Sequence, residues 1–445
     1  MSLVESVEGR RYDLVIIGGG VAGISVALQL ADGGRTVLIV ESGSDRSDAA
    51  IQALASVEAE GDLSAEHFAS HSQRVFGGTS NIWGGFCTVL ERRSFLTGGW
   101  PIDYEELSGY YPAAAEILDL PEESYRDPTQ PLCGSAGVVY KPFFQSSTRF
   151  GKKYLGSFAA HETIDVLLRH TATRLVHSSR RVRAVSVVPS LGGSAFDIEA
   201  GRFVLAAGGL GNPRLLLQSG LGESRAVGRY MMEHPHVSNA GWLELDARCI
   251  RPAMEALRSE RYHALQISSE ECVERGIPSF SVQFHDGAGQ ANLLGERVET
   301  LRSSLFIRAE MRPARTNRFS LLDGDAPTGP KGYVHLRLPA RDALLHVWDV
   351  LSELLLRGGV GRMSPLKPKL RIGAGGHLLG TTRMGDDARS SVVDADARVH
   401  GAGNLYVTGS SVFPHAGAAN PTYTIVALAV RLGRHLAAQG EGEWR

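Results

Sequence analysis

Tyr12-Asp13-Leu14-Val15-Ile16-Ile17-Gly18-Gly19-Gly20-Val21-Ala22-Gly23 is the stretch on which the fold turns. Leu14 to Ile17 is an unbroken apolar run, the pattern of a strand buried on both faces. It enters a G-x-G-x-x-G turn made by Gly18, Gly20 and Gly23. Ile24 to Ala31 then carries apolar residues at helical spacing. Gly33-Gly34 breaks that helix, and a second apolar strand, Thr36 to Val40, ends in Glu41 and Ser42. Glu41 stands about 20 residues after the turn, the spacing of a dinucleotide-binding βαβ unit. Gly18 permits the tight turn, Gly20 lets a pyrophosphate approach the backbone, and Gly23 lets helix and strand pack closely. The helix N-terminus, beginning at Val21 and Ala22, offers unpaired N–H groups to the anion. The Glu41 carboxylate suits the two hydroxyls of an adenosine ribose and repels a 2′-phosphate, which disfavours NADP.

Working outward, the 445 residues allow two domains or one large interleaved one. A net charge of −2 gives no reason to expect nucleic acid or an anionic membrane as partner. Cys87, Cys133, Cys249 and Cys272 are scattered without a C-x-x-C pair, so neither a disulfide framework nor a metal site is expected. No run approaches the ~18 apolar residues of a membrane span, and the expected location is cytoplasmic.

Ala49 to Ala59 reads as a helix. Arg74-Val75-Phe76-Gly77-Gly78-Thr79-Ser80-Asn81-Ile82-Trp83-Gly84-Gly85 sets four glycines among small polar residues, a backbone suited to lie against a flat ligand. Asp103 signals a helix start, continuing past Pro112 to Leu118 with a kink. Val166–Leu168, Ala172–Val176, Val182–Val188 and Ala195–Ile198 read as short strands, and Phe203–Ala207 as another buried one. The latter runs into Gly208-Gly209-Leu210-Gly211-Asn212-Pro213, with Pro213 in the first turn of a helix from Arg214 to Gln218. Lacking G-x-G-x-x-G spacing, this second unit signals no second dinucleotide. Val237 to Arg371 changes to strand-like runs with one long helix, Ala340 to Arg357. His377-Leu378-Leu379-Gly380-Thr381-Thr382-Arg383-Met384-Gly385 and Gly409-Ser410 follow. Asn420-Pro421-Thr422 then opens an apolar helix to about Ala438, with Asn420 as its N-cap.

These stretches together resemble the glucose–methanol–choline (GMC) family of flavin-dependent oxidoreductases. The Gly18–Gly23 turn with Glu41 is similar to its FAD fingerprint, and Gly77 to Asn81 to its flavin-side segment. Val204 to Gly208 through Asn212-Pro213-Arg214 looks like its second signature, and the order of motifs from His377 to Arg431 like its catalytic region. Asn420-Pro421-Thr422 and Trp100-Pro101 with Tyr110-Tyr111 look most like the pyranose 2-oxidase and sugar dehydrogenase branch. The resemblance implies a Rossmann-like α/β FAD-binding domain of the p-hydroxybenzoate-hydroxylase-like kind, interleaved with a substrate domain of β-sheet and helices. The expected division is 9–95, 163–236 and 372–440 for FAD, 96–162 for a lid, and 237–371 for substrate. It implies FAD contacts from Gly18, Gly20, Val21, Ala22, Gly23, Glu41, Ser42, Gly78, Thr79, Ser80, Asn81, Trp83, Thr173, Ala207, Gly208, Asn212, Gly409, Ser410, Asn420, Pro421 and Thr422. Ile82 stands where pyranose 2-oxidase has the histidine joined to FAD, so the cofactor is expected to be noncovalent. Gly409 replaces a common aspartate, leaving its contact to backbone or Ser410.

The resemblance further implies oxidation of a hydroxyl of a sugar, polyol or glycosylated natural product by hydride transfer to flavin N5, with a non-sugar alcohol as the alternative and O2 or another oxidant as final acceptor. His377 is the expected base, since an imidazole titrates near working pH, and Asn420 the residue holding the alcohol oxygen. His234, His400 and His435 are expected to be structural, and His415 is either a second active-site residue or a loop group. A non-redox FAD lyase and a non-catalytic flavin-binding protein are the rival readings.

Overall fold

The computed structural model describes residues 7, 9–126, 129–132, 135, 137–221, 225–250, 262–284, 300–324 and 326–440. The βαβ unit comprises strand Arg11–Ile17, helix Val21–Leu28 and strand Val37–Val40. Both strands are apolar on both faces because they lie inside a seven-stranded sheet, and this α/β layer is the Rossmann-like one. Its order is Ile164–Leu167, Val37–Val40, Arg11–Ile17, Phe196–Leu205, Arg181–Pro189, His170–Ser178. Leu405–Val407 pairs in parallel with residues 203–205 of Phe196–Leu205, while residues 196–199 pair antiparallel with Arg181–Pro189.

A second sheet runs Ile372–Ala374, Pro235–Val237, Phe306–Ala309, Phe280–Phe284, Tyr262–Ile267, Val138–Gln145, Phe86–Cys87. One face sets Val237, Ile307, Val282, Leu265 and Tyr140 in register. Helix Arg341–Arg357 covers it with Leu344, Val347, Trp348, Leu351 and Leu355. The opposite face is polar: His236, Arg308, Ser281 and Gln266 stand in register across four strands. A sheet face that is polar yet buried is built to meet something other than a core.

Several elements depart from the sequence pattern. Ala195–Ile198 and Phe203–Ala207 are one strand, Phe196–Leu205, because Gly201 is carried through the ladder rather than turned. The helix expected from Arg214 begins at Gly208, with Pro213 inside it. Pro213 cannot donate to the Gly209 carbonyl four residues back, and the buried Thr381 hydroxyl donates to that oxygen instead, at 2.6 Å. Ala49–Ala59 is helical only to Gln52; a 3₁₀ turn, Ala53–Ala55, leads to strand Val57–Gly61, which pairs in parallel with Gly332–Leu336. Strand pairing overrides the helix propensity of the alanines. The helix from Asp103 is two, Tyr104–Ser108 and Tyr111–Ile117, and Asp103 caps the first by accepting from the Glu106 N–H at 2.7 Å.

Cys249 is disulfide-bonded, a correction to the expectation of no disulfide framework: scattered cysteines without a C-x-x-C pair leave no spacing signal. Cys133 lies outside the described residues, and Cys87 and Cys272 are buried free thiols. No described helix is long and apolar enough to cross a membrane, and no described cluster could hold a metal ion.

Candidate active site

A cavity of about 470 Å³ lies where the glycine turn, the Gly77–Trp83 loop and the start of the C-terminal helix Pro421–Ala437 meet. The turn is fixed by sterics. Gly18 has φ +111°, and a Cβ there would stand 2.5 Å from the Ala206 carbonyl oxygen. At Gly23 a Cβ would stand 2.1 Å from the Gly18 oxygen, so the helix can approach its strand only as glycine. Gly20, Val21 and Ala22 line the cavity, and Gly20 caps the helix without a side-chain bond. The free N–H groups of that first turn are therefore available to an anion.

Glu41 lines the cavity beside Ser42. One carboxylate oxygen accepts the Gly19 N–H at 2.8 Å, and the other accepts the Gly43 N–H at 2.7 Å. The carboxylate thus ties the turn to the second strand as well as facing the ligand space. The Gly77–Trp83 loop docks by the Gly77 N–H to the Gly19 carbonyl, 2.7 Å. Gly78, Thr79, Ser80 and Trp83 line the cavity with Ala207, Gly208, Gly409 and Ser410. The Ser410 hydroxyl donates to the Leu378 carbonyl at 2.6 Å, so only its remaining lone pair or backbone can serve a ligand.

Four expected contact residues, Gly23, Asn81, Thr173 and Asn212, do not line the cavity. Asn81 donates from its amide to the Phe76 carbonyl at 2.8 Å and braces its own loop. Asn212 is fully buried: it accepts from the Ala207 N–H at 2.7 Å and donates to the Thr408 carbonyl at 3.0 Å. Thr173 donates to the Ser186 carbonyl at 3.2 Å next to a strand irregularity, and it is His170, Thr171 and Ala172 that face the cavity. Gly23 is likewise a packing residue. Arg74, Arg214, His71 and Gln73 line the cavity although their types alone gave no signal.

His377 and Asn420 line the cavity together. Asn420 stands at the N-cap position before Pro421, but its side chain makes no capping bond, and its buried Oδ1 has no partner. The expected capping role is therefore corrected: the side chain makes no bond back to the helix and lies among the cavity-lining groups. Pro421 and Thr422 line the cavity with it, so a second helix presents an uncapped N-terminus there.

Behind His377 sits a polar cluster. The His377 Nδ1 lies 2.7 Å from His234 Nδ1, and the rings meet edge to face. His234 Nε2 is 2.9 Å from the Gly417 carbonyl and 3.2 Å from that of Ala416. One oxygen of the fully buried Glu233 accepts the backbone N–H of both His234 and His377, each at 2.9 Å. Its other oxygen pairs with His67 Nε2 at 2.9 Å. Burial, then His234, His236 and the Arg308 guanidinium, holds His377 well below the usual imidazole value. Burial and Arg308 push His234 down to about 4 and His236 to about 2. His234, expected to be structural, lies directly against His377, while His400 and His435 lie outside the cavity lining. His415 does too: it is buried against Glu310, 2.8 Å away.

Family models place these elements. The model described as GMC oxidoreductase matches residues 114–236 and 367–429, and that of an FAD binding domain matches 13–79. The chain is 26% identical to paromamine 6′-oxidase of Streptomyces fradiae, over 97% of this chain and 92% of that protein. It is 29% identical to C-glycoside 3-oxidase of Microbacterium trichothecenolyticum, over 60% of this chain and 52% of that protein. A formate oxidase structure from Aspergillus oryzae shares the fold, with TM-score 0.65 and 17% identity over 98% of this chain and 100% of that chain. With the glycine turn, Glu41 and the C-terminal motif set around one cavity, the chain belongs to the GMC oxidoreductase family and is an FAD-dependent oxidoreductase.

Proposed function

We propose that the protein oxidises a hydroxyl group of a sugar, polyol or glycosylated natural product to a carbonyl, with O2 or another oxidant as final electron acceptor. The observation that carries this reading is the meeting of His377 and Asn420 in one cavity, with the Asn420 side chain not engaged in capping its helix. The residues fit FAD: two uncapped helix N-termini suit its anionic groups, and Glu41 suits its ribose. Bound there, FAD supplies the two-electron acceptor. The chain supplies the rest. Burial keeps His377 neutral across the neutral range, so its lone pair is free to take the hydroxyl proton. The Asn420 amide donates to the alcohol oxygen and orients it. Names such as paromamine 6′-oxidase and C-glycoside 3-oxidase support a hydroxyl on a sugar-bearing substrate. Ile82 at the cavity wall leaves no nucleophile there for a covalent link, which supports noncovalent binding.

The test is anaerobic bleaching of the flavin band with a panel of sugars, aminoglycosides, glycosides and simple alcohols. Reduction by glycosides or sugars ahead of simple alcohols is the expected result. A flavin that no hydroxyl compound reduces would overturn the reading in favour of a non-redox role.

A further inference from the structure

The carbonyls of Ala416 and Gly417 can only accept hydrogen bonds, so the His234 nitrogen beside them, Nε2, must carry its hydrogen. The opposite nitrogen, Nδ1, lies 2.7 Å from His377 Nδ1, a distance that requires one hydrogen between the two. Were that hydrogen on His234, its ring would be an imidazolium. Burial opposes this, as does Arg308, with Glu233 the nearest opposing charge and His377, His236 and Glu91 the other titratable neighbours. The hydrogen therefore sits on His377 Nδ1, and the His377 lone pair sits on Nε2. The ring positions are held by one clamp, since Glu233 accepts both backbone N–H groups through a single oxygen.

We infer that His234 is a positioning residue that fixes the tautomer of His377, with the Ala416–Gly417 carbonyls as its anchor, so that the base always presents Nε2 bare. The inference rests on His377 being the base. It also ties that base to the peptide segment leading into Asn420: the loop that delivers the alcohol-holding amide sets, through His234, which nitrogen of the base is free. Fixing a tautomer through the far nitrogen is a general way to prepare a histidine for its task.

Two measurements test it on the FAD-loaded enzyme. In protein labelled with ¹⁵N at the imidazoles, long-range ¹H–¹⁵N correlation reads each tautomer directly. The His377 signals, identified by their loss in His377→Ala, should report a protonated Nδ1 and a bare Nε2. The reverse tautomer, or an imidazolium at neutral pH, would overturn the inference even if no His234 variant folds. Second, anaerobic stopped-flow should find flavin reduction slowed roughly 10–100-fold in His234→Leu, the range typical for partners that orient a functional histidine. His234→Asn, whose Oδ1 stands near the lost Nδ1 and can accept from His377, should recover most of that loss. In the His377→Ala background, His234→Leu should add nothing. An undiminished further loss there, or no rescue by asparagine, makes His234 a packing residue and overturns the inference. Wild-type reduction in His377→Ala would instead remove the base reading, and the tautomer measurement would still decide the claim about His234. Flavin-to-protein absorbance ratios on each sample separate these effects from lost cofactor.

Discussion

A single asparagine illustrates how position and role come apart. Asn420 occupies a helix N-cap, where loss of a capping side chain costs about 1 kcal/mol, yet its amide caps nothing and its Oδ1 is buried without a partner. Asn420→Ala should therefore leave stability within about 0.5 kcal/mol of wild type, read from denaturant melts. Flavin reduction should fall by roughly 10²–10³, as when one oriented donor is removed from a developing oxyanion. A drop in stability with unchanged reduction would return Asn420 to a structural role. Glu41 shows the opposite mixture. Its carboxylate accepts the Gly19 and Gly43 N–H groups, so Glu41→Ala strands buried donors as well as losing a ribose partner. Flavin-stripped Glu41→Ala should melt earlier by roughly 1–3 kcal/mol, and the loaded protein should lose flavin on dilution. Equal melting of the stripped proteins would confine Glu41 to ligand binding. The placement of Gly18, Glu41, His377 and Asn420 at one cavity was legible, the first two from motif spacing and the last two from the family resemblance. His234 was not, since its meaning depends on a partner 143 residues away.

At the scale of elements, the sequence was most readable where period and termination agreed. The helices Arg341–Arg357 and Pro421–Ala437 begin within a residue or so of their signals. It was least readable where another segment supplies what the local chain lacks. The helix Gly208–Gln218 tolerates Pro213 because Thr381, far along the chain, satisfies the Gly209 carbonyl. Thr381→Val preserves shape and removes that donor. It should cost roughly 1–3 kcal/mol in a denaturant melt, the penalty of a buried carbonyl left unpaired. A neutral outcome would mean the helix relaxes locally around the proline. Asn81 and Asn212, expected as ligand contacts, lie outside the cavity lining for a related reason: both amides complete backbone hydrogen bonds that only the folded loops reveal.

The molecule as a whole should be sensitive to acid, and the sign follows from the histidine cluster. An unfolded chain protonates His234 near pH 6.5, whereas the folded protein resists until about 4, because the ring is buried beside Arg308. Unfolded protein then binds more protons in that window, so stability is fully present above pH 6.5 and falls as pH drops toward 4. The shift corresponds to roughly 3 kcal/mol for this one residue, and His236 extends the loss toward pH 2. Melting curves between pH 7 and 4 should show the decline, and His234→Asn should flatten part of it. A wild-type melting temperature unchanged over that range would contradict the assignment.

One strand carries a further consequence. Phe196–Leu205 holds part of one edge for Leu405–Val407, and the helix Pro421–Ala437, preceded by Asn420, follows after a 3₁₀ turn. On the ribosome, the glycine turn emerges hundreds of residues before the strand and helix that close over it. Cofactor capture must then be a late event of biosynthesis. A translation product stopped short of residue 405 would carry a nucleotide-binding signature yet have neither a finished sheet nor a wall to keep the nucleotide in.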